Sequence, residues 1–392
     1  MNCSIRWLVN KNWRKSLMVK PKLETELHNG YANFDVIGHV MIDDNTFPQE
    51  ESKSASGYVY KRASFLVKAD QSSSMYVQLM GGHREVNPQV WVRNKNGEMT
   101  PINWEMRDKE EVLNNVDSRS FMRVGLEKGE DGKLIVKQFV AELDLLNYLA
   151  EHLDNNMYVE IKGNVEYSRY NGNIQRHFNI RSVFLRNENK VKPKAIIEQT
   201  YLLDEHSLPR KWEDTLVKNG KMVVNAFVPQ YVSKENGKVV KKTVAMPQTF
   251  TFTNGSDKRI QFIKRFLQAN KGEVIEATMR MNVVYGVEES TGNVEITKEL
   301  QELIDLGIMT EEEAESELTV GSQRVDETQF FNVVLNKQTG KPRIQVRYDP
   351  SALIVWGNED EEVSVDDAFA ETDTESADNS EDDVFNDDEL FG

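Results

Sequence analysis

Between Met157 and Leu185 the chain reads MYVEIKGNVEYSRYNGNIQRHFNIRSVFL. Val159, Ile161, Val165 and Tyr167 alternate with Glu160, Lys162, Asn164 and Glu166, the period of a strand with one buried face. Gly163 falls on the inward face, where a barrel strand bends sharply. Asn171-Gly172 is a tight hairpin signal, and residues 173–186 return as a second strand. Just upstream, ELDLLNYLAEHLD places Leu143, Leu146, Leu149 (with Ala150) and Leu153 on one face of a short helix. Three more strand-like runs precede it: FDVIGHVMID (34–43), GYVYKRASFLVKA (57–69) and SMYVQLMG (74–81). Residues 82–140 form a long insertion before the helix.

Three strands, a helix and two strands is the order of a five-stranded OB barrel. The pattern recurs about 120 residues later, as in a diverged tandem repeat. KRIQFIKRFLQAN puts Ile260, Ile263 and Phe266 with Leu267 on one helical face, with Gly272 expected to stop the helix. EVIEATMRMNVVYGV follows as a strand, then a turn at Thr291-Gly292-Asn293. The second copy is given KMVVNAFVPQYV (221–232) and KKTVAMPQTFTFT (241–253) as leading strands. Its closing strands are ETQFFNVVLN (327–336) and PRIQVRYD (342–349). The expected class is mainly β: two OB-like five-stranded barrels with short helices and a disordered acidic tail. The expected divisions are an N-terminal extension (1–30), a first OB-like domain (31–190), a linker (191–219) and a second OB-like domain (220–357). A helical insertion (296–318) lies within the second domain, and the tail covers 358–392.

Charge changes the picture at that tail. The 392 residues carry a net charge of −16, with 64 Asp and Glu against 48 Lys and Arg. Sixteen of the acids and none of the bases lie between Asn358 and Gly392, so the remaining body is formally neutral. The acidic pI therefore describes the tail and leaves room for a basic groove on the body. The tail has too little apolar content to order itself. One cysteine, Cys3, and six dispersed histidines give neither a disulfide framework nor a metal-ligand spacing. No transmembrane-length apolar run or signal peptide is apparent, which points to a cytoplasmic protein, of a bacterial host if phage-encoded.

Enzyme motifs are missing: GxxxxGK[ST], HExxH and GxSxG do not occur, and no catalytic residue or cofactor is assigned. Aromatic and cationic residues instead gather on the first barrel, where strands two and three and the hairpin between strands four and five form the OB binding face. The candidates are Tyr58, Tyr60, Lys61, Arg62, Tyr76, Arg84, Trp91, Arg93, Arg169, Tyr170 and Arg176. Base stacking with phosphate contact is the chemistry such a mixture provides. Phe227, Tyr231, Lys241, Lys242 and Tyr285 are weaker candidates on the second copy.

The run LNYLAEHLDNNMYVEIKGNVEYSRYNGNIQRHFNIRSVFL resembles the helix, fourth strand, hairpin and fifth strand of single-stranded DNA-binding proteins of bacteria and their phages. The tail resembles theirs too, with its Asp-rich tip, aromatic end and the residues Phe385, Asp387, Asp388, Glu389, Leu390 and Phe391. The resemblance implies single-stranded DNA as partner, no cofactor, and a tail that docks on replication, recombination or repair proteins. This chain departs from the pattern in its length, its two barrels and the added Gly392. Those departures imply a large-phage version that is a monomer or homodimer. Two rival readings stay open: an OB-fold protein-interaction or DNA-mimic protein without nucleic-acid binding, and an enzyme whose carboxylates or histidines converge only in space.

Overall fold

A computed structural model describes residues 22–170, 172–235, 238–287, 304 and 324–353 of the chain. The order is β1 (Ala32–Met41), β2 (Ser52–Lys53), β3 (Tyr58–Lys68), β4 (Ser74–Arg84), β5 (Gln89–Arg93), β6 (Met99–Asn103), α1 (Glu110–Leu113), β7 (Met122–Gly125), β8 (Lys137–Phe139) and α2 (Glu142–His152). It continues with β9 (Tyr158–Tyr170), β10 (Asn173–Leu185), β11 (Lys194–Leu203), α3 (Trp212–Asn219), β12 (Lys221–Glu235) and β13 (Lys238–Thr253). The last elements are α4 (Asp257–Phe266), β14 (Val274–Val287), β15 (Arg324–Val333) and β16 (Ile344–Tyr348).

The N-terminal barrel closes in the order β1–β3–β4–β10–β9–β1, with β4 and β10 parallel and the other pairs antiparallel. Ala63, Phe65, Val67, Met75, Val77, Leu79, Val165, Phe178 and Ile180 fill it. Gly163 is needed inside, because a Cβ there would lie 1.8 Å from the Asn179 carbonyl oxygen. The two-residue hairpin pairs Tyr170 with Asn173 and puts Gly172 at φ +84°, the left-handed geometry its sequence signals. Helix α2 buries Leu145 and Tyr148 as well as Leu143, Leu146 and Leu149, a wider face than its spacing predicts. The reason is a second cover: the insertion supplies Phe139 against the Tyr148 ring and Glu127 to accept its hydroxyl at 2.8 Å.

The C-terminal barrel closes as β11–β12–β13–β15–β14–β11, again with one parallel pair, β13 with β15. Its first strand is thus β11, inside the stretch expected as a linker, and the assigned strand roles shift by one. KAIIEQTYLL alternates in burial as far as Gln199; from Thr200 on both faces are covered, with Tyr201, Leu202 and Leu203 at 0–1% exposure. Residues 344–348, expected as a closing strand, form an added strand on β14, with Tyr348 opposite Val274. Helix α4 ends at Phe266, and Gly272 serves the turn into β14 at φ +79°. The Thr291–Asn293 turn, the helical insertion 296–318 and the acidic tail lie outside the described residues.

One ladder joins the barrels. β1 pairs β9 on one side and β11 on the other, and β11 pairs β14, so β10–β9–β1–β11–β14–β15 is a six-stranded antiparallel sheet shared by both barrels. A single hydrophobic cluster runs beneath it.

Candidate nucleic-acid interface

Strand alternation sorts the candidates on β3. Ala63, Phe65 and Val67 point into the barrel, so Tyr58, Tyr60 and Arg62 point outward. The rings of Tyr58 and Tyr60 stack with centroids 6.2 Å apart and planes at 24°. On β4 the buried Met75, Val77 and Leu79 leave Tyr76, Gln78, Met80 and Arg84 outside. The register sets Arg84 opposite Tyr58, Met80 opposite Arg62, and Tyr76 opposite Leu66. Tyr76 is 59% exposed and stands six residues along the ladder from the position opposite Tyr60, about 20 Å at 3.3 Å per residue. Leu66 is also opposite Met41, so Met41, Leu66 and Tyr76 make an open apolar row.

A polar network lies between the two aromatic ends. Arg62 donates to the Gln78 side chain at 3.1 Å, and Gln78 donates to Asn179 at 2.8 Å. Burial holds the Glu166 carboxyl above its usual range, against the lowering effects of Asn179 and Arg181. Burial, with the Arg62 charge added, depresses the pKa of His177, whose Nε2 lies 2.8 Å from Ser168 Oγ. Tyr58 is pushed up to about 12 by burial and by the Glu142 carboxylate, so its phenol stays neutral across the physiological range. None of Gln78, Asn179 and His177 was among the candidates. Polar residues on an outward phase look like ordinary solvated positions until the barrel closes around them.

Other candidates sit elsewhere. Lys61 takes the core-facing phase at the barrel end, opposite Gly81. Arg176 shares the phase of buried Phe178, lies over that ring and donates to Asp326 of the C-terminal barrel at 3.3 Å. It braces the junction between barrels and is not part of the outer face. Arg169 shares the phase of buried Tyr167. Trp91, 61% exposed, and Arg93 stand on the outer side of the β5–β6 hairpin, which has its own small core of Val90, Val92 and Ile102. The Tyr170 side chain and the six tail candidates, from Phe385 to Phe391, lie outside the described residues.

The corresponding surface of the C-terminal barrel is covered at its middle, while Val223 and Tyr231 on the same phase of β12 stay exposed. Phe227, opposite Leu202 and Pro247, occupies the place of Leu66. It is fully buried under Tyr348, Leu353 and Leu27. Tyr231 remains 47% exposed, and Tyr285 is half-buried and donates its N–H to the Ser72 carbonyl. Among the described residues, no group of three or more His, Cys, Asp or Glu could hold a metal ion. No helix among them is long and apolar enough to cross a membrane.

No family model matches the chain, and no curated protein does. Two solved structures of the single-stranded DNA-binding protein from Thermus aquaticus align with it, a deletion mutant and the wild type. The deletion mutant covers 66% of this chain and 89% of its own at 9% identity, with a TM-score of 0.29. The wild type covers 65% and 87% at 9% identity, with a TM-score of 0.28. Likeness at that level carries no weight for function; the side chains on the barrel face have to supply it.

Proposed function

We propose that this chain binds single-stranded DNA without sequence preference, through the outer face of strands β3 and β4 of the N-terminal barrel. The observation that carries the reading is the convergence on that one face of the stacked Tyr58–Tyr60 pair, Arg62, Arg84 and the exposed Tyr76. Flat rings accept any base and the guanidinium groups accept phosphate, a combination that holds a strand without reading it. The protein coats and protects the strand and catalyses nothing. Its acidic tail, with Phe385, Leu390 and Phe391 set among Asp387, Asp388 and Glu389, recruits replication, recombination or repair proteins. The shared sheet makes the two-barrel chain a self-contained unit, fitting a monomer or homodimer. The length and doubling of the barrel fit a phage-encoded protein.

Competition tests this. A labelled ~30-nucleotide oligo-dT, a length matched to two barrels of roughly 4–16 nucleotides each, is displaced by unlabelled strands. Displacement by oligo-dA, oligo-dC and oligo-dT within a few-fold of one another, and poorly by duplex, supports the reading. Failure of any strand to bind moves the protein to the OB-fold protein-interaction class.

A further inference from the structure

Resting on that reading, we infer that the strand does not stop at the N-terminal barrel. It continues across the shared sheet into a cleft of about 590 Å³ at the junction of the two barrels. The structure supplies a route. Gln78, Asn179, Asn164, Asn33, Glu198 and Arg280 are successive register partners across β4, β10, β9, β1, β11 and β14. All six take the outward phase of their strands. At about 4.8 Å per strand, the five steps span about 24 Å. The row begins beside Arg62 and ends in the cleft, and no apolar side chain interrupts it.

The cleft has the chemistry of a strand-binding groove. Lys162, Arg181, Lys194 and Arg280 line it against two carboxylates, Asp35 and Glu198. Lys194 holds Asp35 at 2.6 Å and Arg280 holds Glu198 at 2.8 Å; the other two cations have acid partners beyond the lining, Lys162 with Glu160 at 2.7 Å and Arg181 with Glu142 at 3.2 Å. Arg181 is the extra residue of the bulge between Ile180 and Ser182 on β10. Tyr31 and Phe331, 40% and 52% exposed, also line the cleft and provide ring faces beyond the cations. The ion pairs also brace the two barrels, which alone would account for the charges. It does not account for two exposed aromatics beside them, or for an unbroken polar row leading in from the tyrosine face.

The test compares two oligo-dT lengths on the full chain and on Phe331→Ala and Arg280→Gln variants. About 8 nucleotides fit one barrel face, whereas about 30 also reach the cleft. The variants are expected to bind the short strand as the wild type does and the long strand about tenfold more weakly. Arg280→Gln should also lower the salt slope by about 0.7, the value of one phosphate contact on a single strand. Unchanged binding of both lengths overturns the inference. Equal losses on both lengths overturn it too, since the cleft would then act only through the N-terminal barrel. Failure of the wild type to bind either length is a different result, and sinks the proposed function itself. Should a variant not fold, 4-thiothymidine placed along the long strand tests the wild type directly. Photo-crosslinks to peptides containing Tyr31 or Phe331 support the path, and crosslinks confined to β3 and β4 refute it.

Discussion

Tyr58 and Tyr60, two residues apart on one outward face of β3, stack with their ring planes at 24° and their centroids 6.2 Å apart. Their separation follows the two-residue repeat of the strand, about 6.6 Å, so the rings stand side by side along β3. Gly82 lies opposite Tyr60, where a Cβ would sit 2.0 Å from the Val59 carbonyl oxygen.

Tyr60→Ala is expected to weaken oligo-dT binding by about 1–3 kcal/mol, the value of one stacked base, or roughly fivefold to 150-fold. Tyr60→Phe keeps the ring and should bind within about twofold of wild type. Fluorescence titration of both variants checks the claim. An equal loss in both would point to the hydroxyl and away from stacking.

Gly163→Ala should destabilise the N-terminal barrel by about 1–3 kcal/mol, the usual cost of overpacking. The new methyl would meet the Asn179 carbonyl oxygen and the Phe34 ring. A lower urea midpoint with an unchanged slope is the expected reading.

His177 should make stability pH-dependent. Its folded pKa lies below the ordinary value of 6.5, because burial and Arg62 both oppose its charge. The unfolded chain therefore takes up the proton first, and stability is lost as pH falls from the unfolded value towards the folded one. Above about pH 7.5 the site contributes no pH slope. Urea unfolding between pH 8 and pH 5 should show wild type losing stability relative to His177→Gln below about pH 6.5.

Tyr348→Ala separates the two barrels' roles. Tyr348 is fully buried against Phe227 and Leu202, and its hydroxyl donates to Glu276 at 3.1 Å. Its loss should cost about 3–5 kcal/mol in unfolding experiments. Binding of a short strand to the N-terminal face should not change at a temperature where the variant is folded.

Much of this was legible in the sequence where one physical cause acted alone. Asn171-Gly172 specifies its hairpin through local backbone geometry. The run from Ile161 to Tyr167 alternates because one side meets the core and the other the surface. Tyr58, Tyr60, Arg62, Tyr76 and Arg84 came onto one face because the strand period is two. Where a second layer intervenes, the pattern fails. The β11 strand hides its period only from Thr200 to Leu203, where both its faces are covered, Leu202 by the cluster of Phe227, Tyr348 and Leu353. Phe227 looks like a binding aromatic until Tyr348 and Leu353, more than 100 residues later, fold over it. Arg176 reads as a groove cation until Asp326 of the other barrel meets it. Tertiary closure, not local propensity, decides these three.

The most direct test of the central claim is the salt dependence of oligo-dT binding, read by fluorescence anisotropy for wild type and for a Tyr58→Ala/Tyr60→Ala double variant. The expected wild-type result is a straight line of log K against log salt with a slope of about −0.7 per phosphate contact. The double variant should give a parallel line displaced to weaker binding, since it loses stacking and keeps the cations. Wild-type protein that fails to bind at low salt, or a double variant that binds as tightly as wild type, would contradict the account.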